Sequence, residues 1–238
     1  MDWLSAHRPL IIGHRGASTD APENTLYAFN LAMEQGADGF ELDVQLSRYG
    51  ELVIFHDFTV DRLTEGAGRV TDLTLAELQS LTLPDEQKIP TLDELFETLG
   101  PQPLYNIEIK VSGVWDQGVE TAVADRIHSH HLENRVLVSS FSPFSVQRAR
   151  RALSSTTPVA LIRYRKFPNY NYLLASSEAE HPYYGLVDKK YMAWARKRDY
   201  KVNVWTVDDP AEAKRLVDLG VDGIITNKPK FIRDSLGL

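Results

Sequence analysis

Short apolar segments alternate along the chain with longer segments whose apolar residues recur every three or four positions. The first pattern predicts buried strands, and the second predicts helices that pack one face against a sheet. A repeated order of strand and helix is typical of a parallel sheet. The predicted strands are residues 9–13, 40–46, 52–56, 104–109, 135–139, 159–162, 202–205 and 223–226, and the predicted helices are 25–35, 118–130, 146–153, 189–197 and 211–219.

The strand at 52–56 breaks this alternation, because only residues 47–51 separate it from the strand at 40–46. A parallel connection needs about a dozen residues or more, so these two strands are predicted to form an antiparallel hairpin. The hairpin returns the chain to the end of the sheet from which it left. His56 is therefore expected near Glu41 and Asp43.

Without the return arm of the hairpin, seven strands remain, and an eighth is expected near 180–187, where Pro182 and two tyrosines interrupt the pattern. Eight strand–helix units in a chain of 238 residues fit an α/β fold of the (β/α)8, or TIM-barrel, class. We expect a single domain over 1–238. Residues 58–100 are interpreted as a small insertion with helices near 74–81 and 92–99, and residues 166–182 as a second irregular excursion.

Composition excludes several functional classes. The formal net charge is -7, which does not favour a nucleic-acid partner because no broad basic surface is available for phosphates. The chain has no cysteine, so disulfides, thiolate catalysis and cysteine-bound metals are excluded. The N-terminus lacks the apolar region of a signal peptide, and no apolar stretch is long enough to span a membrane. We therefore expect a cytoplasmic protein without a transmembrane segment.

Three carboxylates stand near the carboxyl ends of two predicted strands. Glu41 and Asp43 share a strand face because they are two residues apart, and Glu108 lies on the next barrel strand with Lys110. Active sites of these barrels form at that end, and converging carboxylates repel one another unless a cation is present. Each acid alone is equally compatible with a salt bridge. Together they predict a site for one divalent cation, Mg²⁺ or Ca²⁺, since oxygen ligands suit hard ions.

Two histidines lie beside these acids. His14 follows the first strand and is continued by Arg15, whose planar guanidinium suits a phosphate. His56 ends the return arm of the hairpin. Two imidazoles beside a phosphate can act as base and acid in phosphodiester cleavage. Trp205 and Phe141 are candidates for the wall of the pocket, although packing in the barrel or its loops explains them equally well.

The sequence resembles the glycerophosphodiester phosphodiesterase family, with motifs that follow the family order over nearly the whole chain. These motifs are His14-Arg15-Gly16, Pro22-Glu23-Asn24-Thr25, Glu41-Leu42-Asp43-Val44, His56-Asp57, Asp61-Arg62-Leu63-Thr64, Gly66-x-Gly68, Leu73-Thr74-x-x-Glu77-Leu78, Pro90-Thr91-Leu92-Asp93-Glu94, Asn106-Ile107-Glu108-Ile109-Lys110, Val204-Trp205-Thr206-Val207 and Gly223-Ile224-Ile225-Thr226.

The resemblance implies a barrel enzyme that hydrolyses small glycerophosphodiesters, such as glycerophosphocholine or glycerophosphoethanolamine, to sn-glycerol 3-phosphate and an alcohol. Carried over onto this sequence, the family roles fall on the candidate residues described above. One role is added, because Glu23 would support the site. His14 and His56 would form the acid/base pair; Glu41, Asp43 and Glu108 would hold the cation; Arg15 and Lys110 would bind phosphate; Trp205 would line the glycerol side.

The chain departs from the usual family pattern at three places. The hairpin reads Ser47-Arg48-Tyr49-Gly50, where the family usually has a Thr and an Asp before the Gly. Asp208 stands where Asn is common, and Asn227 stands where Asp is usual. None of these changes removes a catalytic group, so they bear on substrate preference.

Two other functions stay open at this point. A phospholipase-D-like enzyme acting on lysophospholipids would share the barrel and the two histidines, but secreted members of that branch typically carry disulfides and lack the insertion. The segment 164–172, with its aromatic and basic residues, is a candidate for contact with a membrane surface. A non-catalytic barrel that binds a phosphate ligand is disfavoured because all five key groups are present. The sequence does not indicate an oligomeric state.

Overall fold

The computed structural model describes residues 2–113, 115, 117–164 and 177–238. Its strands are β1 (Leu10–His14), β2 (Gly39–Leu46), β3 (Leu52–Ile54), β4 (Leu104–Ile109), β5 (Val136–Ser140), β6 (Val159–Arg163), β7 (Ala179–Pro182), β8 (Lys201–Val204) and β9 (Gly223–Thr226). Its α-helices are α1 (Leu26–Glu34), α2 (Leu75–Ser80), α3 (Leu92–Leu99), α4 (Val119–Ser129), α5 (Pro143–Ala152), α6 (Lys189–Arg196), α7 (Pro210–Asp218) and α8 (Pro229–Leu236).

The sheet closes on itself as a barrel of eight parallel strands. Strand β1 pairs in parallel with both β2 and β9, and the remaining neighbours follow in the order β9-β8-β7-β6-β5-β4-β2. Strand β3 lies outside this closed set and pairs antiparallel with β2, with Val44 opposite Ile54. The (β/α)8 prediction and the hairpin prediction are therefore both confirmed. Within the described ranges, no helix is long and apolar enough to cross a membrane.

The hairpin ends sooner than its sequence pattern predicts. Strand β3 stops at Ile54, whereas the pattern extends to His56. The amide of the Gln45 side chain donates to the carbonyl oxygens of Phe55 (2.8 Å) and Asp57 (2.7 Å). The backbone on either side of His56 is thus bound by a side chain of β2, which holds the histidine at the barrel mouth beyond the last strand residue.

The eighth barrel strand, β7, is shorter than the predicted span of 180–187. It ends at Pro182, and a 3-10 turn at Tyr184–Leu186 takes the second half of that span. Proline has no N–H with which to continue the ladder. The predicted irregular excursion at 166–182 is wrong for its last residues, because Ala179–Pro182 is strand; residues 165–176 lie outside the described part of the chain.

One helix begins earlier than the sequence predicts, and another was not predicted. Helix α5 begins at Pro143, three residues before the predicted start at 146, because the Ser142 hydroxyl accepts from the Ser145 N–H (3.3 Å). Helix α8 was not predicted. It begins at Pro229 and, in common with α5 and α7, has proline in its first turn, where the missing N–H is not needed.

The segment between β3 and β4 contains two capped helices. Thr74 and Glu77 form a capping box at α2, and Thr91 and Glu94 form another at α3. Residues of this segment pack into a small cluster together with Val53 of β3. Its buried members are Val53, Phe55, Val60, Val70, Leu78, Leu83 and Ile89. Helix α3 instead packs its buried residues into the main core, against β2 and β4.

Aromatic rings connect helices α1 and α3 to the outer face of the barrel. Phe29 stacks on Phe40 with ring centroids 4.4 Å apart, and Tyr105 makes edge contacts with both Phe40 (5.3 Å) and Phe96 (5.1 Å). The Tyr105 hydroxyl donates to the Gly100 carbonyl (2.5 Å), so its polar end is also satisfied. This packing fixes β2 and β4 side by side.

The contact between β2 and β4 predicts a strict requirement for glycine at position 39. A Cβ at Gly39 would lie 2.0 Å from the Leu104 carbonyl oxygen, which belongs to the paired strand and cannot move alone. We expect Gly39→Ala to lower the free energy of unfolding by about 3 kcal/mol or more, measured by urea denaturation.

The matched control is Gly237→Ala. This glycine has φ +69 but nothing within 4 Å of its virtual Cβ, so only backbone strain of about 1 kcal/mol is expected. Equal losses for the two variants would contradict the steric explanation.

Candidate active site

The register of the parallel strands brings the predicted acids together. His14 of β1 lies opposite Glu41 of β2, and Asp43 lies opposite Glu108 of β4. Each of the three carboxylates offers an oxygen within 4.8 Å of the others, and their residues are only 4%, 1% and 9% exposed. Three acids are therefore buried together near the carboxyl ends of neighbouring strands.

Two cations partly balance this charge. The Arg15 backbone N–H donates to Glu41 Oε2 (3.0 Å), and the Arg15 Nε lies 3.3 Å from Asp43 Oδ2. Lys110 Nζ lies 2.8 Å from Glu108 Oε1 and 3.4 Å from Asp43 Oδ1. Three carboxylates face two positive side chains, so one negative charge is left over when all are ionised.

The pKa values of the three carboxyl groups show which of them resist ionisation. Burial and the charges of Asp43 and Glu108 raise the pKa of Glu41 well above its ordinary value. Burial and Asp43 raise the pKa of Glu108 to about 7. Asp43 differs: burial alone would raise its pKa, but Lys110 and Arg15 hold it below the ordinary value.

This cluster fits a hard divalent cation. All its ligand atoms are carboxylate oxygens, the type that Mg²⁺ and Ca²⁺ prefer. Asp43 Oδ1 is buried and accepts no hydrogen bond from the described residues; it lies 3.4 Å from Lys110 Nζ and remains available as a ligand. A bound cation would supply the missing positive charge. Glu41, Asp43 and Glu108 are thus the residues that can hold it.

His14 stands at the end of β1 with its two nitrogens in different surroundings. Nδ1 lies 2.7 Å from Asn227 Oδ1, while Nε2 faces Glu41 at 4.0 Å. Burial, followed by the positive charge of Arg15, lowers the pKa of His14 to about 4. The imidazole is therefore neutral near pH 7.

His56 lies at the start of a chain of hydrogen bonds between charged side chains. Its Nδ1 is 2.7 Å from Asp57 Oδ1, and the other oxygen of Asp57 accepts from Arg62 Nε (2.5 Å). Arg62 also donates to Glu23 Oε1 (2.7 Å), which in turn accepts from Arg15 (2.9 Å). Burial opposes ionisation of Asp57, but the bonds from Arg62 and His56 keep its pKa below the ordinary value.

Most of the predicted site residues line one pocket at the barrel mouth. The pocket holds about 440 Å³ of space, part of it open to solvent, and eight of the ten candidates border it. Asp43 and Glu23 do not, and reach the pocket through Arg15. Phe141 and Trp205 meet edge to face with centroids 5.5 Å apart and form one wall. The arrangement can hold a phosphodiester against cations with two imidazoles beside it.

Several residues of the site carried no predicted role. Asn24 donates to Asp43 Oδ2 (2.8 Å) and orients this carboxylate, and His181 borders the pocket beside Asn106 (3.4 Å). Burial lowers the pKa of His181 to about 3, so it is a neutral packed side chain. The polar residue Asn106, two before Glu108 on the same strand face, was a sign of this polar layer.

Comparison with known proteins identifies the family. The model of the glycerophosphoryl diester phosphodiesterase family matches residues 14–231. A glycerophosphodiester phosphodiesterase of Caldanaerobacter subterraneus is 38% identical over 94% of this chain and 96% of its own length. Another, from Bacillus altitudinis, is 32% identical over 92% and 94%.

Solved structures agree with this result. The chain superposes with a TM-score of 0.86 on an Oleispira antarctica phosphodiesterase in complex with the product sn-glycerol-3-phosphate, at 28% identity, covering 97% of this chain and 98% of the other. A Thermotoga maritima glycerophosphodiester phosphodiesterase gives a TM-score of 0.79 at 28% identity, with coverage of 96% and 99%. The chain therefore belongs to the glycerophosphoryl diester phosphodiesterase family and is a phosphoric diester hydrolase.

Proposed function

We propose that this chain hydrolyses small glycerophosphodiesters, such as glycerophosphocholine, to sn-glycerol 3-phosphate and an alcohol, and that the reaction depends on a divalent cation. The observation that carries the proposal is the shared pocket, which is bordered by Glu41 and Glu108 of the buried carboxylate cluster, by two cationic side chains and by two imidazoles. The product-bound relative from Oleispira antarctica supports the substrate class.

In this proposal Glu41, Asp43 and Glu108 hold Mg²⁺ or Ca²⁺. When bound, the cation polarises the phosphoryl oxygens and neutralises charge that develops on them. Arg15 and Lys110 bind the phosphate beside it, because both already border the pocket and are fixed by the acids. Their orientation is set before substrate arrives, which is what electrostatic stabilisation of a transition state requires.

His14 and His56 are the acid/base pair. One imidazole accepts the proton of the attacking oxygen as the new P–O bond forms, and the other donates a proton to the alcohol oxygen as the old P–O bond breaks. Both side chains border the pocket, and each has a hydrogen-bond partner on Nδ1, which leaves Nε2 for the substrate.

Three further residues complete the site. Glu23 supports the site, since it accepts from both Arg15 and Arg62 and so ties the two histidine-bearing segments together. Trp205 lines the glycerol side, and Phe141 packs on it; the Trp205 indole N–H donates to the His181 carbonyl (2.7 Å), which fixes its ring.

We further propose that residues 1–238 form one barrel domain with a small insertion at about 58–100. A cytoplasmic location and the absence of a nucleic-acid partner stay predictions from the sequence. Among the residues that the structure describes, no contact favours a lysophospholipid substrate over a small one.

The first prediction concerns the reaction itself. Incubation with glycerophosphocholine and Mg²⁺ or Ca²⁺ at pH 8 is expected to release sn-glycerol 3-phosphate, measured by a coupled dehydrogenase assay. Excess EDTA should abolish the release, and added cation should restore it. Release that is unaffected by the chelator, or no release with either cation, would rule out the proposed reaction.

The second prediction concerns the histidines. His14→Ala and His56→Ala are each expected to lower kcat by about 100-fold or more, the range of a lost general acid or base. His128→Ala is the matched control, since this histidine is 83% exposed at the end of α4 and contacts Glu133. Near-normal turnover in either pocket variant, with its unfolding temperature unchanged, would remove that residue from the acid/base pair.

The third prediction concerns pH. A cation must displace the proton that Glu108 holds below its pKa of about 7. Binding is therefore expected to be at least about tenfold weaker at pH 6 than at pH 8, measured by titration calorimetry. Asp61→Asn, at an exposed carboxylate, should bind as wild type does. Glu108→Gln should bind weakly at both pH values. Affinity that is equal at pH 6 and pH 8 in the wild type would contradict the role of Glu108.

A further inference from the structure

Two of the departures from the family pattern are the two ends of one hydrogen bond. The Asn227 side-chain amide donates to Asp208 Oδ2 (2.6 Å), although the residues stand 19 positions apart in the sequence. The other end of the same amide, Asn227 Oδ1, faces His14 Nδ1 at 2.7 Å. Asp208 thus reaches the imidazole of His14 through a single intervening side chain.

The orientation of the Asn227 amide is determined by its neighbours. The Asp208 carboxylate accepts from the Thr226 hydroxyl (2.8 Å) and the Asn227 backbone N–H (2.8 Å), so it acts only as an acceptor. The NH₂ group of Asn227 must therefore point at Asp208. The Ser18 hydroxyl donates to Asn227 Oδ1 (2.8 Å), which agrees with an oxygen at that end.

An acceptor at this position fixes the tautomer of His14. Because Asn227 Oδ1 has no hydrogen to give, the hydrogen bond to His14 requires the proton on Nδ1. Nε2 then carries the lone pair and faces the pocket beside Glu41. A rotated Asn227 amide would present NH₂ to the imidazole, place the proton on Nε2, and turn the reactive nitrogen into a donor.

We propose that Asp208 and Asn227 are positioning residues that hold His14 in its Nδ1–H tautomer, with Nε2 available to the substrate. The consequence for catalysis rests on the proposed function of His14; the consequence for the tautomer does not. The amide also keeps negative charge one step away from the imidazole. Asn227 thus separates the Asp208 carboxylate from an imidazole that already lies beside Glu41 and its two acidic neighbours.

The contrast with His56 supports this interpretation. His56 Nδ1 contacts the Asp57 carboxylate directly, and Arg62 compensates the charge of that carboxylate. Asp208 accepts from a hydroxyl and two amide groups, and Asn227 is the part of this arrangement that touches His14. The two imidazoles are held in the same tautomer by a neutral partner in one case and a charged partner in the other.

The test is an exchange of the two side chains. Asp208→Asn removes the carboxylate that fixes the Asn227 amide, so part of the His14 population should shift its proton to Nε2. Asn227→Asp places two carboxylates where the 2.6 Å hydrogen bond now lies. The double variant carrying both changes restores a donor–acceptor pair, with a carboxylate oxygen as the acceptor for His14 Nδ1–H.

Two properties are measured, the tautomer of His14 and the turnover of substrate. The tautomer of His14 is observed by long-range ¹H–¹⁵N correlation spectra of metal-free, ¹⁵N-histidine-labelled protein at pH 8, with the resonance assigned by its loss in His14→Ala. Turnover of glycerophosphocholine is measured on the metal-loaded protein. We expect Nδ1–H in the wild type and the double variant. We expect a tenfold or larger loss of kcat in Asp208→Asn, the order seen for residues that orient another ligand or base, and recovery to within about threefold in the double variant.

The outcomes separate the inference from the proposed function. An Nε2–H tautomer in the wild type, or an unchanged Nδ1–H tautomer with full turnover in Asp208→Asn, would overturn the inference. The predicted tautomers in a protein that hydrolyses no glycerophosphodiester would leave the inference in place and overturn the function. If Asp208→Asn does not fold, as judged by circular dichroism, the wild-type spectrum and the double variant still decide the matter.

Discussion

The burial of three carboxylates within 4.8 Å of one another is the constraint on which the site depends. Such a cluster is unfavourable in a low-dielectric interior unless positive charge is brought to it. Arg15 and Lys110 supply two charges and are held in place by the acids they compensate. A divalent cation would balance the third negative charge and add one positive charge to the site. The same electrostatic requirement thus orders the two cationic side chains that border the pocket and leaves a place that fits a cation.

The face shared by Glu41 and Asp43 and the return of His56 to the barrel mouth were predictable because they follow from local patterns. The period of two in β2 places Glu41 and Asp43 on one face, and the short link to β3 requires a hairpin, which brings His56 back to the mouth. The boundaries were less predictable. Strand β3 ends at Ile54, and beyond it Gln45 binds the backbone around His56, a contact that no local pattern contains.

Contacts between distant loops were not predictable from the pattern. Asp57 and Arg62 were visible only as parts of motifs, and their bonds to His56 and Glu23 depend on how the segment after β3 folds back over the mouth. Asp208 lies in the loop after β8 and Asn227 in the loop after β9, with helix α7 between them in the sequence. The parallel pairing of β8 with β9 brings these two loops together. Helix α8 could have been found from the proline at its start together with the spacing of Ile232 and Leu236.

The central claim, that the carboxylate cluster is the metal centre of a phosphodiesterase, is tested most directly by crystallography with an anomalous scatterer. Crystals grown with Mn²⁺ at pH 8 are predicted to show an anomalous peak bounded by Glu41, Asp43 and Glu108, at about 2.0–2.6 Å from an oxygen of each. A map with no peak there, and with the three carboxylates still held by Arg15 and Lys110 alone, would contradict the account.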